Sequence, residues 1–157
     1  MRTPSIADPR QTAQVATPRR QSLVGVRLCR HADYQRAYAA SRKRQSASMS
    51  WFLAPQAEPD GPRVGLTAGK VLGKAHERNR IKRRMREVLR RHVDLLPVGF
   101  DLILHPRRSV LTLEFGKLDA EVVRILGQAQ AEAERMMQQE QSCESSRPDG
   151  RAAGAKV

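Results

Sequence analysis

Acidic residues are scarce in this chain: 16 Asp and Glu stand against 29 Lys and Arg, a formal charge of +13. Uncompensated charge of that size repels itself in a compact fold and is tolerated most easily beside a polyanion. Nucleic acid is the first polyanion to consider and an anionic membrane surface the second. A basic surface kept only for solubility is the third reading. Aromatics are also few, with three Phe, one Trp and two Tyr, so Leu, Val, Ile and Ala must build the core. The two cysteines, Cys29 and Cys143, lie far apart and show no CxxC or Cys/His spacing. That argues against a disulfide framework or a zinc site and for reduced thiols in a cytoplasm. No run of about 18 apolar residues occurs, which excludes a transmembrane helix. Catalytic constellations are missing as well. His31, His76, His92 and His105 sit in separate segments, and no Ser-His-Asp, Cys-His or paired-carboxylate arrangement accompanies them. No residue is assigned to catalysis.

A length of 157 residues suggests one domain with tails. Residues 1–25 are rich in Arg, Ser, Thr, Gln and Pro, loosely like a transit peptide, and Arg19-Arg20 loosely resembles a twin-arginine signal. The apolar patch Leu23-Val24-Gly25-Val26 is cut off by Arg27 and Arg30, too short for a signal core, so a disordered basic arm is preferred. Residues 142–157 read as a disordered tail, leaving 26–141 as the domain. Within it, 33–40 is a short helix placing Tyr34, Ala37 and Tyr38 on one face. Strands are expected at 49–54, ended by Pro55, at 63–68 and at 100–105, with a weak one near 43–46. The strand FDLILH is apolar enough to be buried on both faces. Gly69 and Gly73 flank a loop, and a long helix from 114 to about 141 carries Phe115, Leu118, Val122, Ile125 and Ala129 at helical spacing. The order predicts an α+β fold with helices packed on a small, mostly antiparallel sheet.

The helix at 75–92 carries the strongest signal. Ile81, Met85, Val88 and Leu89 form its apolar stripe. Lys82, Arg83, Arg86 and Arg90 lie on the opposite arc, with Arg80, Arg84 and Arg91 along the flank; Glu77 and Glu87 are the only acids. A solvated helix normally intersperses Glu to relieve like-charge repulsion. Here the repulsion remains, and a phosphate backbone would relieve it through counterion release. A plain solvated arginine face is the bland alternative; a membrane-surface or calmodulin-target helix would favour a Trp-, Phe- or Leu-rich stripe, which is lacking. Tyr34 and Tyr38 can either pack in a core or stack unpaired bases.

The segment RVGLTAGKVLGKAHERNRIKRRMREVLRRH strongly resembles the signature of the bacterial ribonuclease P protein component. Its parts are Arg63-Val64-Gly65, Lys70, Gly73, Lys74-Ala75, Arg78-Asn79-Arg80 and Lys82-Arg83-Arg84-Met85-Arg86-Glu87. Upstream, RLCRHADYQRAYAASRKR is similar to the family's opening helix, with Tyr34 and Tyr38 where Phe is usual; downstream, LPVGFDLILHPR is similar to its Pro-Gly-aromatic-Asp strand. The departures are Val71, where a second basic residue is usual, and His76 and Glu77, where small or apolar residues are.

The resemblance implies an α-β-β-β-α-β-α order with a left-handed crossover around the basic helix, as in the second domain of ribosomal protein S5, against the usual right-handed rule. It implies a subunit of an endoribonuclease that removes the 5′ leader of precursor tRNA. The catalytic RNA and its Mg²⁺ carry the chemistry, and no metal is held by the protein alone. Contact with that RNA falls to Lys74, Arg78, Arg80, Lys82, Arg83, Arg86 and Arg90. The single-stranded leader falls to Tyr34, Tyr38, Phe52, Lys70 and Asn79, although Asn79 can equally cap its helix. Trp51, alternating with Phe52, is expected in the core. Gly65 and Gly73 are expected to serve a close backbone approach or a positive φ. The implied partners are the catalytic RNA and precursor tRNA, with no membrane and no DNA. A ribosomal-type structural RNA-binding protein is the alternative. A helix-turn-helix DNA binder is disfavoured, because two glycines occupy GKVLGK where a second helix would stand.

Overall fold

The structure is a computed structural model and describes residues 22–146. Helix α1 (His31–Ala40) precedes β1 (Arg44–Gln45), β2 (Met49–Pro55) and β3 (Arg63–Leu66); α2 (Ala75–Arg91), β4 (Phe100–Pro106) and α3 (Phe115–Ser145) follow. The sheet order is β1-β2-β4-β3. β4 therefore lies inside the sheet, antiparallel to β2 from Met49↔Pro106 to Pro55↔Phe100 and parallel to β3 from Arg63↔Asp101 to Leu66↔Leu104. A parallel pair needs a long crossover, and α2 supplies it.

Strand alternation divides the side chains between two layers. Met49, Trp51, Leu53, Val64, Leu102 and Leu104 meet Ile81, Met85, Val88 and Leu89 of α2 and Leu118, Val122, Ile125 and Leu126 of α3. On the other face Ala54 and Ile103 meet Leu28 and Ala37, with Tyr34, Tyr38 and Phe52 packed around them. β4 is thus covered on both faces, as its apolar sequence required, and Trp51 is core.

Charged side chains tie the strands where the apolar pattern cannot. Arg63 and Asp101 face each other across β3 and β4 and form a forked ion pair, Nε to Oδ1 at 2.8 Å and Nη2 to Oδ2 at 3.1 Å. Arg36 and Asp33 of α1 extend it. Glu121 of α3 accepts the Ser46 hydroxyl at 2.6 Å and the Ser48 amide at 2.7 Å. Burial pushes its carboxyl up, but these hydrogen bonds outweigh burial and hold it below the usual glutamate range.

Several boundaries differ from expectation: β3 ends at Leu66 rather than residue 68, and β2 and β4 each take in the proline expected to stop them. α1 begins at His31 rather than Asp33. The GKVLG loop contains a 3₁₀ turn, Lys70–Leu72, closed by Gly73 at φ +122°. α3 runs on to Ser145, so residues 142–145 of the expected tail are helical. Apolar periodicity, the only sequence guide to the end of α3, stops at Ala133, and the helix beyond that point is mostly exposed. Of the expected arm, Leu23 packs against the core beside Val26. Residues 1–21 and 147–157 lie outside the described residues.

Candidate RNA interface

α2 starts where Glu77 reaches back to accept the Lys74 backbone amide at 2.8 Å. This satisfies one orphan donor of the first turn, which is half of a capping box. That hydrogen bond, then Arg108, keeps the Glu77 carboxyl below its ordinary range; Arg108 lies 3.1 Å away. The acid that departs from the family signature is therefore a helix cap. Gly73 makes room for it, because a Cβ there would lie 2.1 Å from Glu77 Oε2.

The two flanks of α2 differ. Glu77, Arg84 and Arg91 lie on the flank toward α3, and all three are engaged. Arg84 donates to the carbonyls of Val110, Leu111 and Leu113 around the 3₁₀ turn Arg108–Leu111. Arg91 lies over the Phe115 ring at 4.7 Å and near Glu87. On the other flank Arg78, Lys82 and Arg86 are half-buried, Lys82 and Arg86 lying closer to the apolar stripe than the outer arc where the sequence put them, and they form no ion pair with a described carboxylate. Arg78 Nε is buried without a hydrogen-bond partner. Burial pushes the Arg86 guanidinium below its usual range, and the charges of Arg27 and Arg90 add to this. Arg83 is exposed on the outer arc, Arg80, expected on the flank with Arg84, is exposed beside it, and Lys74 is exposed at the N-cap. Arg90 is exposed too, but lies 3.9 Å from Glu87.

The second surface lies between α1 and the sheet. Tyr38 meets Phe52 edge-on at 5.0 Å, with Tyr34 at 6.4 Å. His105 completes the ring cluster, 5.6 Å from Tyr38 and 5.3 Å from Phe52. Its Nε2 is 2.8 Å from the Tyr38 hydroxyl, which also approaches Thr67 Oγ1 at 3.4 Å. Burial, then the Lys43 charge, lowers the His105 pKa, so the ring is neutral at pH 7. Tyr34 donates to the Leu28 carbonyl at 3.2 Å, and its ring lies on Gly65, where a Cβ would come within 2.8 Å. Both tyrosines are half-buried, so packing and an open ring edge coexist.

The structure thus brings Tyr34, Tyr38 and Phe52 together, with exposed Lys70 on the turn that follows Thr67. It does not bring Asn79 to them. Asn79 faces an open concavity of about 910 Å³ between α2 and the start of α3, with His76, Arg80 and Arg83. Asn79 is not the N-cap either, because Lys74 holds that position. Sequence reasoning missed His105, although its alternation with Leu102 and Leu104 along β4 would have put it on the Ile103 face.

A small α+β domain with a cleft of aromatic rings on one face and unpaired cations along a helix on another is a nucleic-acid-binding protein. Residues 25–130 match the Ribonuclease P protein family, and the chain belongs to that family. The ribonuclease P protein component of Chloroflexus aggregans is 38% identical over 104 residues, 66% of this chain and 76% of that protein. That of Thermobifida fusca is 34% identical over 104 residues, 61% of this chain and 70% of that protein. Among solved structures, a Staphylococcus aureus RNase P protein mutant with defective mRNA degradation activity superposes with a TM-score of 0.61 at 25% identity, over 68% of this chain and 90% of that one. The Thermotoga maritima RNase P protein shares the fold, with a TM-score of 0.58 at 24% identity over 65% of this chain and 96% of that one. The chain is accordingly a protein subunit of ribonuclease P, which partners the ribonuclease P RNA in tRNA processing.

Proposed function

We propose that α2 and the aromatic cleft divide the work between two RNA ligands. The carrying observation is the contrast along α2: one flank is tied to the protein, while Arg78, Lys82 and Arg86 on the other, with exposed Arg80 and Arg83 and the N-cap Lys74, have no described carboxylate partner. These cations bind the phosphates of the ribonuclease P RNA. Arg90 contributes less, because Glu87 already offsets its charge. Tyr34, Tyr38 and Phe52, helped by Lys70 on the turn after β3, hold the unpaired 5′ leader of precursor tRNA. Asn79 serves the RNA at the α2 concavity rather than the leader. The RNA, with Mg²⁺ bound to it, carries out the phosphodiester hydrolysis, and this chain positions the substrate. Two exposed free thiols, Cys29 and Cys143, suit a reducing cytoplasm. Among the described residues no helix is long and apolar enough to cross a membrane.

The cleft is tested by comparing ligands. Tyr34→Ala and Tyr38→Ala should each weaken holoenzyme binding of precursor tRNA by about 1–3 kcal/mol while leaving mature tRNA nearly unchanged, since only the precursor has bases to stack. Tyr34→Phe should be mild. Circular dichroism must show both Ala variants folded. A wild-type ratio of precursor to mature affinity in folded Ala variants would remove the leader from this cleft and favour a purely structural RNA-binding role.

A further inference from the structure

One cation at the edge of the sheet belongs to neither the basic helix nor the aromatic face. The segment before α1 runs along the free edge of β3. Val64 donates to Val26 O at 2.8 Å and accepts from Leu28 N at 2.9 Å, which makes Arg27 the parallel bridge partner of Val64. Bridge partners stand on the same face of a sheet. Val64 belongs to the core beneath α2, so Arg27 rises on the α2 side of the edge, while Leu28, its neighbour, packs with Tyr34 in the cleft layer. The Arg27 side chain is exposed and forms no ion pair with a described carboxylate. The electrostatics of its neighbours are consistent with this placement. Burial followed by the Arg27 charge depresses Arg86, and Arg27 is also among the charges opposing the burial that raises the Tyr34 phenol.

The geometry points to a phosphodiester-binding site at this edge, formed by Arg27 with Arg86 and joining the cation track Arg78–Lys82–Arg86 to the leader cleft. The inference rests on the RNA-binding reading of α2 and adds a residue to it. Backbone pairing on both sides of Arg27 fixes where its side chain leaves the sheet, so only the side-chain rotamers remain to be ordered on binding. A phosphate there relieves the repulsion between two guanidinium groups, one of them half-buried, and Arg can meet its oxygens bidentately. The phosphate can belong to the ribonuclease P RNA or to the precursor near its leader.

Two titrations over salt separate those sources: binding of the protein to the RNA subunit alone, and binding of the reconstituted holoenzyme to precursor tRNA. Arg27→Gln should make the salt slope shallower by about 0.7–0.9 and weaken binding about fivefold in one of them. The titration affected identifies the phosphate. Arg27→Lys should keep the slope, which separates loss of charge from loss of fold. Replacing Lys82, Arg83 and Arg86 together reports on the underlying reading in the same assay. Sensitivity to that triple change with wild-type slopes for Arg27→Gln in both titrations overturns the edge site and leaves the helix reading intact. Insensitivity to both overturns the reading and the site together.

Discussion

Arg84→Met is expected to lower the unfolding free energy by about 3 kcal/mol, the largest loss of stability for any single cation of α2. Position in the sequence makes Arg84 one more arginine of a basic helix. In the structure its guanidinium accounts for three carbonyls, those of Val110, Leu111 and Leu113, where the chain leaves the 3₁₀ turn and enters α3. Val110 and Leu111 end a short helix, whose last carbonyls lack intrahelical partners, and Leu113 lies between it and α3. Met keeps the alkyl stem that packs along α2 and removes only the donors. Urea unfolding followed by circular dichroism should show a lower midpoint with an unchanged slope. Lys should recover only part of the loss, because an ammonium cannot span the carbonyls as a planar fork does. An unchanged midpoint would mean that water serves these carbonyls as well as Arg84 does.

Replacing Lys82, Arg83 and Arg86 together by Gln should have the opposite profile. Each is free of a described carboxylate, so the fold loses little. Removing three of the proposed phosphate contacts should make the salt slope for the ribonuclease P RNA shallower by about 2–3 units and weaken binding on the order of 10²-fold at moderate salt. Arg84→Met, by contrast, should leave the slope of the folded protein unchanged. A wild-type slope in the triple variant would return this face of α2 to ordinary solvation.

The contrast between Arg83 and Arg84 shows what the sequence could convey. Periodicity located α2, its apolar stripe and its overall charge, because each is a local property. It could not tell which arginines the protein consumes, because the partners of Arg84 lie about 27 residues away in chain order. The same holds for Arg63 and Asp101. Both stand in the signature segments, and their reason appears only once β3 and β4 pair in register. The shared face of Tyr34 and Tyr38 was legible from helical spacing. Alternation along β4 puts His105 on the Ile103 face, but its contact with Tyr38 and Phe52 depends on how α1 packs on the sheet, which is not local. Asn79 was placed with the leader on resemblance, and the backbone turns it toward the other side of α2. Glu77 reads as an intruding charge in the sequence, and its use as a cap depends on the close turn at Gly73.

Reconstitution with the ribonuclease P RNA, assayed on precursor tRNA at low Mg²⁺, tests the central claim most directly. RNA and protein together should release the leader at the mature 5′ end under conditions where the RNA alone cleaves poorly. On the proposal that the RNA carries the chemistry, His31→Ala, His76→Ala, His92→Ala and His105→Ala should each leave the cleavage step within about tenfold, or about 1.4 kcal/mol. Failure of the protein to stimulate cleavage, or abolition of the chemical step by one of these changes in a folded protein, would contradict the account.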